Sequence, residues 1–279
     1  MSAAPVQELN SDAPALEPLL HRLLGRISTD RISVLGLSGP PGSGKSTLAR
    51  ALVAHANRTG VTACLLSLDD YYLGRSQRQR MAKTIHPLFR QRGVPGSHEL
   101  DRLLSDLERI RSGQLDGLSL PAFDKSNDDR APVERPCPLE SRPQLVVLEG
   151  WCIGAPPQSG AALAEPVNAL ERIQDAEGLW RRQVLHYWQQ LHAALDRRLD
   201  QLWYIRVPGW NCVIDWRWQQ ERELANRNLK SRADVEEFLG SFERIVNHMQ
   251  DSCTRWADLV LEADHEHHIS LVNKTGKTA

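Results

Sequence analysis

With 279 residues and a formal net charge of −1 at pH 7, the chain is long enough to bury a sizeable core, and it offers no global basic field for nucleic acid or an anionic membrane. Cys64, Cys137, Cys152, Cys212 and Cys253 are odd in number and form no C-x-x-C pair, which excludes a disulfide framework or a zinc site and reads as reduced thiols. No apolar run approaches a membrane span and the first residues lack a signal-peptide pattern, so the expectation is a cytoplasmic protein with no membrane partner.

Residues 1–13 are small and polar, and 1–30 read as an N-terminal extension. Within it Leu16, Leu19, Leu20, Leu23 and Leu24 form the stripe of an amphipathic helix. Residues 32–37 are an apolar run of strand length, and Gly39-Pro40-Pro41-Gly42-Ser43-Gly44-Lys45-Ser46 then fits the Walker A pattern G-x-x-x-x-G-K-[ST], with Thr47 next. Leu48, Leu52 and Val53 recur at helical spacing, which completes a strand–loop–helix context. Glycines let the loop N–H groups face one polyphosphate, and the helix turns its positive end toward the same anion. Lys45 offers a charge to the β- and γ-phosphates and Ser46 a hydroxyl to Mg²⁺. These residues predict a nucleoside-triphosphate site.

A second strand over 61–68 ends in Asp69-Asp70-Tyr71-Tyr72. Ligands collect at the carboxyl ends of strands in open α/β sheets, which makes these acids candidates for chemistry. Residues 74–96 are polar and basic and read as a loop closing on Arg92-Gly93-Val94-Pro95-Gly96. Ser97 is placed to cap a helix with Leu100, Leu103, Leu104, Leu107 and Ile110 on one face, ending near Gly113, with His98 in its first turn. The run 121–130 is dense in both charges and reads as a solvated loop. A third strand over 144–148 leads to Glu149, a carboxylate in the Walker B position that could hold Mg²⁺ or its water.

Residues 153–178 read as irregular. Trp180, Val184, Trp188, Leu191 and Leu195 mark a long helix, and 202–207 a fourth strand. One helix then carries Trp216, Arg217, Trp218, Arg222 and Arg227, another Val235, Phe238, Leu239, Phe242, Ile245 and Met249, and a last strand begins at Leu259. His265, His267 and His268 read as a polar tail in preference to a metal site. The alternation predicts an α/β fold of the P-loop NTPase type: a doubly wound, mostly parallel five-stranded sheet flanked by helices. The expected organisation is one domain over 31–272 and a tail over 273–279.

No N-K-x-D motif marks a GTPase, whereas a kinase needs an acceptor base and cations around the transferred group. The acids at 69 and 70, the charged loops at 92–98 and 123–130 and the arginines at 217–227 could supply these. An acidic acceptor would call for cations such as Arg92, Lys125 or Arg130; a nucleoside would call for aromatic stacking, for which Tyr71, Tyr72 and Phe123 are available. A nucleotide-dependent regulatory protein is a further alternative.

The segments S-G-P-P-G-S-G-K-S-T, S-L-D-D-Y-Y-L, R-G-V-P-G-S-H-E-L-D, F-D-K-S…D-D-R, V-V-L-E-G-W and W-R-W-Q-Q-E together resemble the P-loop glycerate kinases. Those are relatives of the uridine kinase, phosphoribulokinase and pantothenate kinase group, and the resemblance runs from about Ile32 to Leu261. It implies ATP, Mg²⁺ and phosphorylation of a small hydroxylated acceptor, D-glycerate being the best-known one. Pantothenate-like and sugar-phosphate acceptors are the alternatives within the group. The resemblance implies a kinase domain with a helical lid at about 210–232; in it Asp69 matches the general base, Glu149 the glutamate near Mg²⁺ and Arg217 the lid. Asp70, Tyr72, Arg92, His98, Asp124, Lys125 and Arg130 make up the acceptor side. Between F-D-K-S and Arg130 the chain is shorter than in the glycerate kinases, with Asn127-Asp128-Asp129 in place of a glycine-rich stretch. A monomer or a homodimer is expected.

Overall fold

The apolar runs of the sequence become the strands of one central sheet. A computed structural model describes residues 16–29, 31–223 and 229–271. The expectations for 1–13, for the tail at 273–279 and for Arg227 in the lid lie outside the described residues. In chain order the elements are α1 (Glu17–Leu24), β1 (Ser33–Ser38), α2 (Lys45–Arg58), β2 (Ala63–Ser67), α3 (Arg75–Thr84) and α4 (Leu100–Ser112). Four short strands follow, β3 (Ser119–Leu120), β4 (Phe123–Asp124), β5 (Asp129–Arg130) and β6 (Arg135–Pro136). Then come β7 (Leu145–Glu149), α5 (Ala169–Gln174), α6 (Leu179–Asp196), β8 (Gln201–Arg206), α7 (Trp210–Glu223), α8 (Arg232–Trp256), β9 (Leu259–Ala263) and β10 (Ile269–Leu271).

The main sheet has the order β10-β9-β8-β1-β7-β2. Its strands are parallel from β2 to β9, and β10 joins antiparallel to β9. Every residue of β1 and β7 is buried, as parallel strands covered on both faces require. Register places Glu149 opposite Leu37 of β1 on one side and Ser67 of β2 on the other. The carboxyl ends of these three strands therefore end level, at the point where strand order reverses and an open α/β sheet leaves its crevice.

Five regions depart from the sequence reading. The five expected strands are all present, and β10 adds a sixth; the three histidines lie in or beside the turn that joins β9 to β10, so they do not begin a tail. The loop expected over 74–96 contains α3 and a 3₁₀ turn at Pro87–Arg90. Its residues show no apolar stripe because the buried side chain of α3 is an arginine: Arg78 is 1% exposed. Its guanidinium donates to Leu73 O at 3.1 Å, Arg90 O at 2.9 Å and Asp128 O at 2.5 Å, and pairs with the Asp128 carboxylate at 3.0 Å. A buried charge is tolerated only with such a full set of partners.

Ser97 does not cap α4. Its hydroxyl is buried, donates to Val94 O at 2.6 Å and accepts from Gly93 N at 3.0 Å, while Glu99 is the residue before the helix. His98 thus lies ahead of the first turn, in an isolated β-bridge with Tyr72. The run 121–130 is an ordered hairpin, β4 on β5, instead of a solvated loop, and β3 pairs with β6 beside it. Within 153–178 a 3₁₀ turn at Gly160–Leu163 and α5 are formed, and Asn168 caps α5 through a bond from Glu171 N.

Candidate active site

The loop between β1 and α2 ends on Gly44, whose φ of 82° lies in the left-handed region that a Cβ disfavours. That turn lets α2 begin directly at Lys45, with Ser46 in its first turn. Within the loop the Ser43 hydroxyl is buried and has no hydrogen-bond partner. An orphaned hydroxyl inside a loop of this shape fits one that closes around an anion.

Glu149, at the end of β7, is 3% exposed and accepts a hydrogen bond from the Ser67 hydroxyl. Among the described residues no basic side chain pairs with it. A buried carboxylate satisfied by a neutral donor alone suits a divalent cation, with the Ser46 hydroxyl as the second protein oxygen. The chain next places Trp151, whose indole donates to Gly93 O at 2.8 Å and so ties the end of β7 to the 92–98 loop. Gly93 has a φ of 131°, and a Cβ there would stand 2.2 Å from the Phe242 ring, so no other residue fits this approach.

Asp69 and Asp70 lie on a 3₁₀ turn, Leu68–Tyr71, that follows β2. They have different partners. Asp69 Oδ1 accepts from the Tyr72 hydroxyl at 2.9 Å and its Oδ2 from Lys125 Nζ at 2.6 Å. Burial alone would raise the Asp69 carboxyl, but the Lys125 and Lys45 charges, with the two hydrogen bonds, hold it well below the usual carboxylate range. Asp70 instead accepts from Phe123 N of β4 at 3.3 Å and from Arg135 of β6 at 2.6 Å, which anchors the β4–β5 hairpin at one point and β6 at the other.

Of the acceptor-side residues expected from sequence, Tyr72, His98 and Lys125 gather at Asp69. His98 stacks on Tyr72 with ring centroids 4.6 Å apart, and its Nε2 is buried without a partner. Burial pushes the His98 imidazole down to about 4, against the nearby Asp69 charge. Arg92 pairs with Asp128 and lies 5.5 Å from the centre of the Phe123 ring. Arg130 pairs with Glu99 at 2.7 Å. Asp124 does not join the cluster: it accepts from Ser126 N, Ser126 Oγ and Asn127 N, which shapes its own turn.

Arg217 projects from α7, pairs with Glu221 and lies over the Phe238 ring at 5.8 Å. Burial lowers its pKa against the Glu221 charge, and Arg92 adds to the lowering. The Asp69 charge also acts on Arg217, in the opposite sense. Arg222 is exposed.

Sequence reasoning did not single out Ser67, Arg78, Glu99, Arg135 or Glu221. A signal existed for Glu221, which stands four residues after Arg217 on one helix and so on the same face. The remaining partners are separated from their mates by tens of residues, beyond the reach of local spacing.

Comparison with known proteins agrees with this geometry. The model of the ATPase family associated with various cellular activities (AAA) matches residues 35–104, the stretch that runs from β1 into α4. The kinase mug58 of Schizosaccharomyces pombe is 32% identical over 214 residues, 73% of this chain and 75% of that protein. The chloroplastic D-glycerate 3-kinase of Arabidopsis thaliana is 26% identical over 211 residues, 73% of this chain and 44% of that protein. A solved D-glycerate 3-kinase from Cryptococcus neoformans var. grubii shares the fold, with a TM-score of 0.63 at 24% identity over 90% of this chain and 94% of that one. Fold and relatives define a phosphotransferase built on a P-loop. The chain belongs to the P-loop kinase family that includes the D-glycerate 3-kinases and uridine kinases. No helix among the described residues is long and apolar enough to cross a membrane.

Proposed function

We propose that this kinase uses ATP to phosphorylate a hydroxyl of a small hydroxy acid, D-glycerate foremost. One observation carries the reading: the Asp69 carboxylate lies under the charges of both Lys45, from the nucleotide loop, and Lys125, from the β4–β5 hairpin. Nucleotide and acceptor machinery meet at that group. Arg92, Arg130 and Lys125 crowd the same side, where an acceptor carboxylate would need planar or point donors. The D-glycerate 3-kinases among the relatives support the same acceptor. The aromatic rings that could instead stack a nucleobase are engaged. Tyr72 is buried against His98 and Phe123, and Phe123 lies beneath Arg78 and Arg92.

Transfer is direct and in line. The acceptor oxygen bonds to the γ-phosphorus as the bond to the β–γ bridging oxygen breaks and ADP leaves. Lys45 and the loop N–H groups hold the β- and γ-phosphates, and Asp69 accepts the hydrogen bond of the attacking hydroxyl and then its proton. Because Asp69 stays ionised far into the acid range, its first task is orientation, and Tyr72 keeps the carboxylate aimed. Arg217 meets the negative charge that spreads over the transferred group. Ser46 and Glu149 would hold Mg²⁺, which when bound supplies positive charge to the phosphate oxygens.

A coupled ADP-release screen over D-glycerate, other hydroxy acids, pantothenate, uridine and ribulose 5-phosphate tests the assignment. D-Glycerate or a close hydroxy acid is expected to give the highest turnover; a higher rate with uridine would replace this reading by a nucleoside kinase.

A further inference from the structure

Among the described residues, the carboxylates buried beside arginines are fully met, with one exception. Arg244 grips both oxygens of Glu171, through Nε at 2.8 Å and Nη2 at 2.5 Å. Both oxygens of Asp175 are met by Trp180 N and Arg181, and both of Asp106 by Arg102 Nε. Glu221 is as buried, at 1% exposed, yet it accepts a single bond, on Oε1 from Arg217 Nη2. Its Oε2 and the Arg217 Nε are both buried with no partner. A buried carboxylate left half met costs stability instead of adding to it.

The incomplete pair stands beside the nucleotide loop. Trp216, next to Arg217 on α7, packs against that loop: a Cβ on Gly42 would stand 3.4 Å from the Trp216 Cβ. The Trp216 indole donates to His265 O at 3.2 Å, which pins this stretch of the helix. The Arg217 guanidinium itself lies over the Phe238 ring of α8. Glu221, one turn further along α7, is the one described residue that takes a hydrogen bond from it.

We propose that Glu221 is the positioning residue for Arg217: it anchors the guanidinium by Nη2, so that Nε stays free to donate to an oxygen of the γ-phosphoryl group of ATP. This rests on the role given to Arg217 above and not on the identity of the acceptor. A complete fork, as Arg244 makes with Glu171, would be the stronger pair but would occupy Nε. The single bond leaves a fixed donor facing charge that arrives with the nucleotide. The unmet Oε2 is the counterpart of that free donor.

The experiment measures dissociation constants of ATP and ADP, with Mg²⁺, for the full chain by calorimetry. Their ratio isolates contacts to the γ-phosphate and needs no acceptor. Arg217→Lys keeps a cation for Glu221 but has no Nε, and should lose about tenfold of the wild-type preference for ATP, the scale of one charged hydrogen bond. Glu221→Gln should lose a similar factor with ADP affinity unchanged. In Arg217→Ala, millimolar guanidinium chloride should restore the preference where sodium chloride does not; in Arg217→Ala/Glu221→Gln it should fail to. ADP binding shows that each variant is folded. The double variant, with neither charge buried alone, decides the matter if Glu221→Gln does not fold. An unchanged ratio in Glu221→Gln, or guanidinium rescue that survives the loss of Glu221, overturns the positioning role and leaves Arg217 in its place. An unchanged ratio in both Arg217→Lys and Arg217→Ala removes Arg217 from the γ-phosphate, and the two roles fall together.

Discussion

Asp69 and Asp70 are chain neighbours on one turn, yet the first faces the cations of the nucleotide loop and hairpin while the second holds Arg135 and the Phe123 amide. Asp69→Asn should lower kcat by about two to four orders of magnitude, the range for a lost general base that also positions its substrate, with the ATP KM near normal. Asp70→Asn should act mainly on the acceptor KM, because it loosens the hairpin and leaves the base in place. Steady-state kinetics of the two variants decide this, and small equal effects would make the pair structural. His98 has a consequence for stability. Its folded pKa of about 4 lies below the ordinary 6.5, so between those values the unfolded chain holds a proton that the folded chain does not. Its contribution to stability is complete above pH 6.5 and is lost as pH falls toward 4. Urea midpoints at pH 7 and pH 5 should therefore differ less in His98→Gln than in wild type; an unchanged difference would contradict the assignment.

At the scale of elements, α3 is held by one side chain. Arg78 links the start of that helix, the 3₁₀ turn after it and the β4–β5 hairpin through Leu73, Arg90 and Asp128. Replacing it by methionine strands three carbonyls and leaves the Asp128 carboxylate to Arg92 alone, and should cost about 3–5 kcal/mol in urea unfolding, as breaking a buried pair does. A loss below about 1 kcal/mol, the worth of a surface pair, would show that the network contributes little. The same arginine explains why α3 was illegible: a helix whose buried face is a guanidinium has no apolar period to detect. β10 escaped notice because three residues, Ile269–Leu271, follow a histidine-rich turn that resembles an end of structure. Conversely, α4 was plain from Leu103, Leu107 and Ile110, all fully buried, while its start was misplaced because Ser97 uses its hydroxyl on the preceding turn.

Over the whole molecule, the parallel strands from β2 to β9 could be read directly, because burial on both faces makes such a strand an unbroken apolar run. The P-loop could be read for a different reason: its chemistry fixes residue types at fixed spacing. What the sequence hid were the pairings across the crevice. Lys125 lies 56 residues from Asp69 and Arg135 lies 65 residues from Asp70, and only the folded sheet brings them together. In the proposed reading those pairings bring cationic side chains from the 123–135 segment to the acceptor side, each beside a carboxylate, in a chain whose net charge is only −1. The measurement that tests this most directly is kcat/KM for D-glycerate, glycerol and uridine with the wild-type chain and ATP, with the phosphorylated product identified by ³¹P NMR. The account predicts that D-glycerate exceeds glycerol by at least about a hundredfold, as expected for a site built around a group that the analogue lacks, and that it exceeds uridine as well. Equal use of glycerol and D-glycerate, or a higher value for uridine, would contradict it.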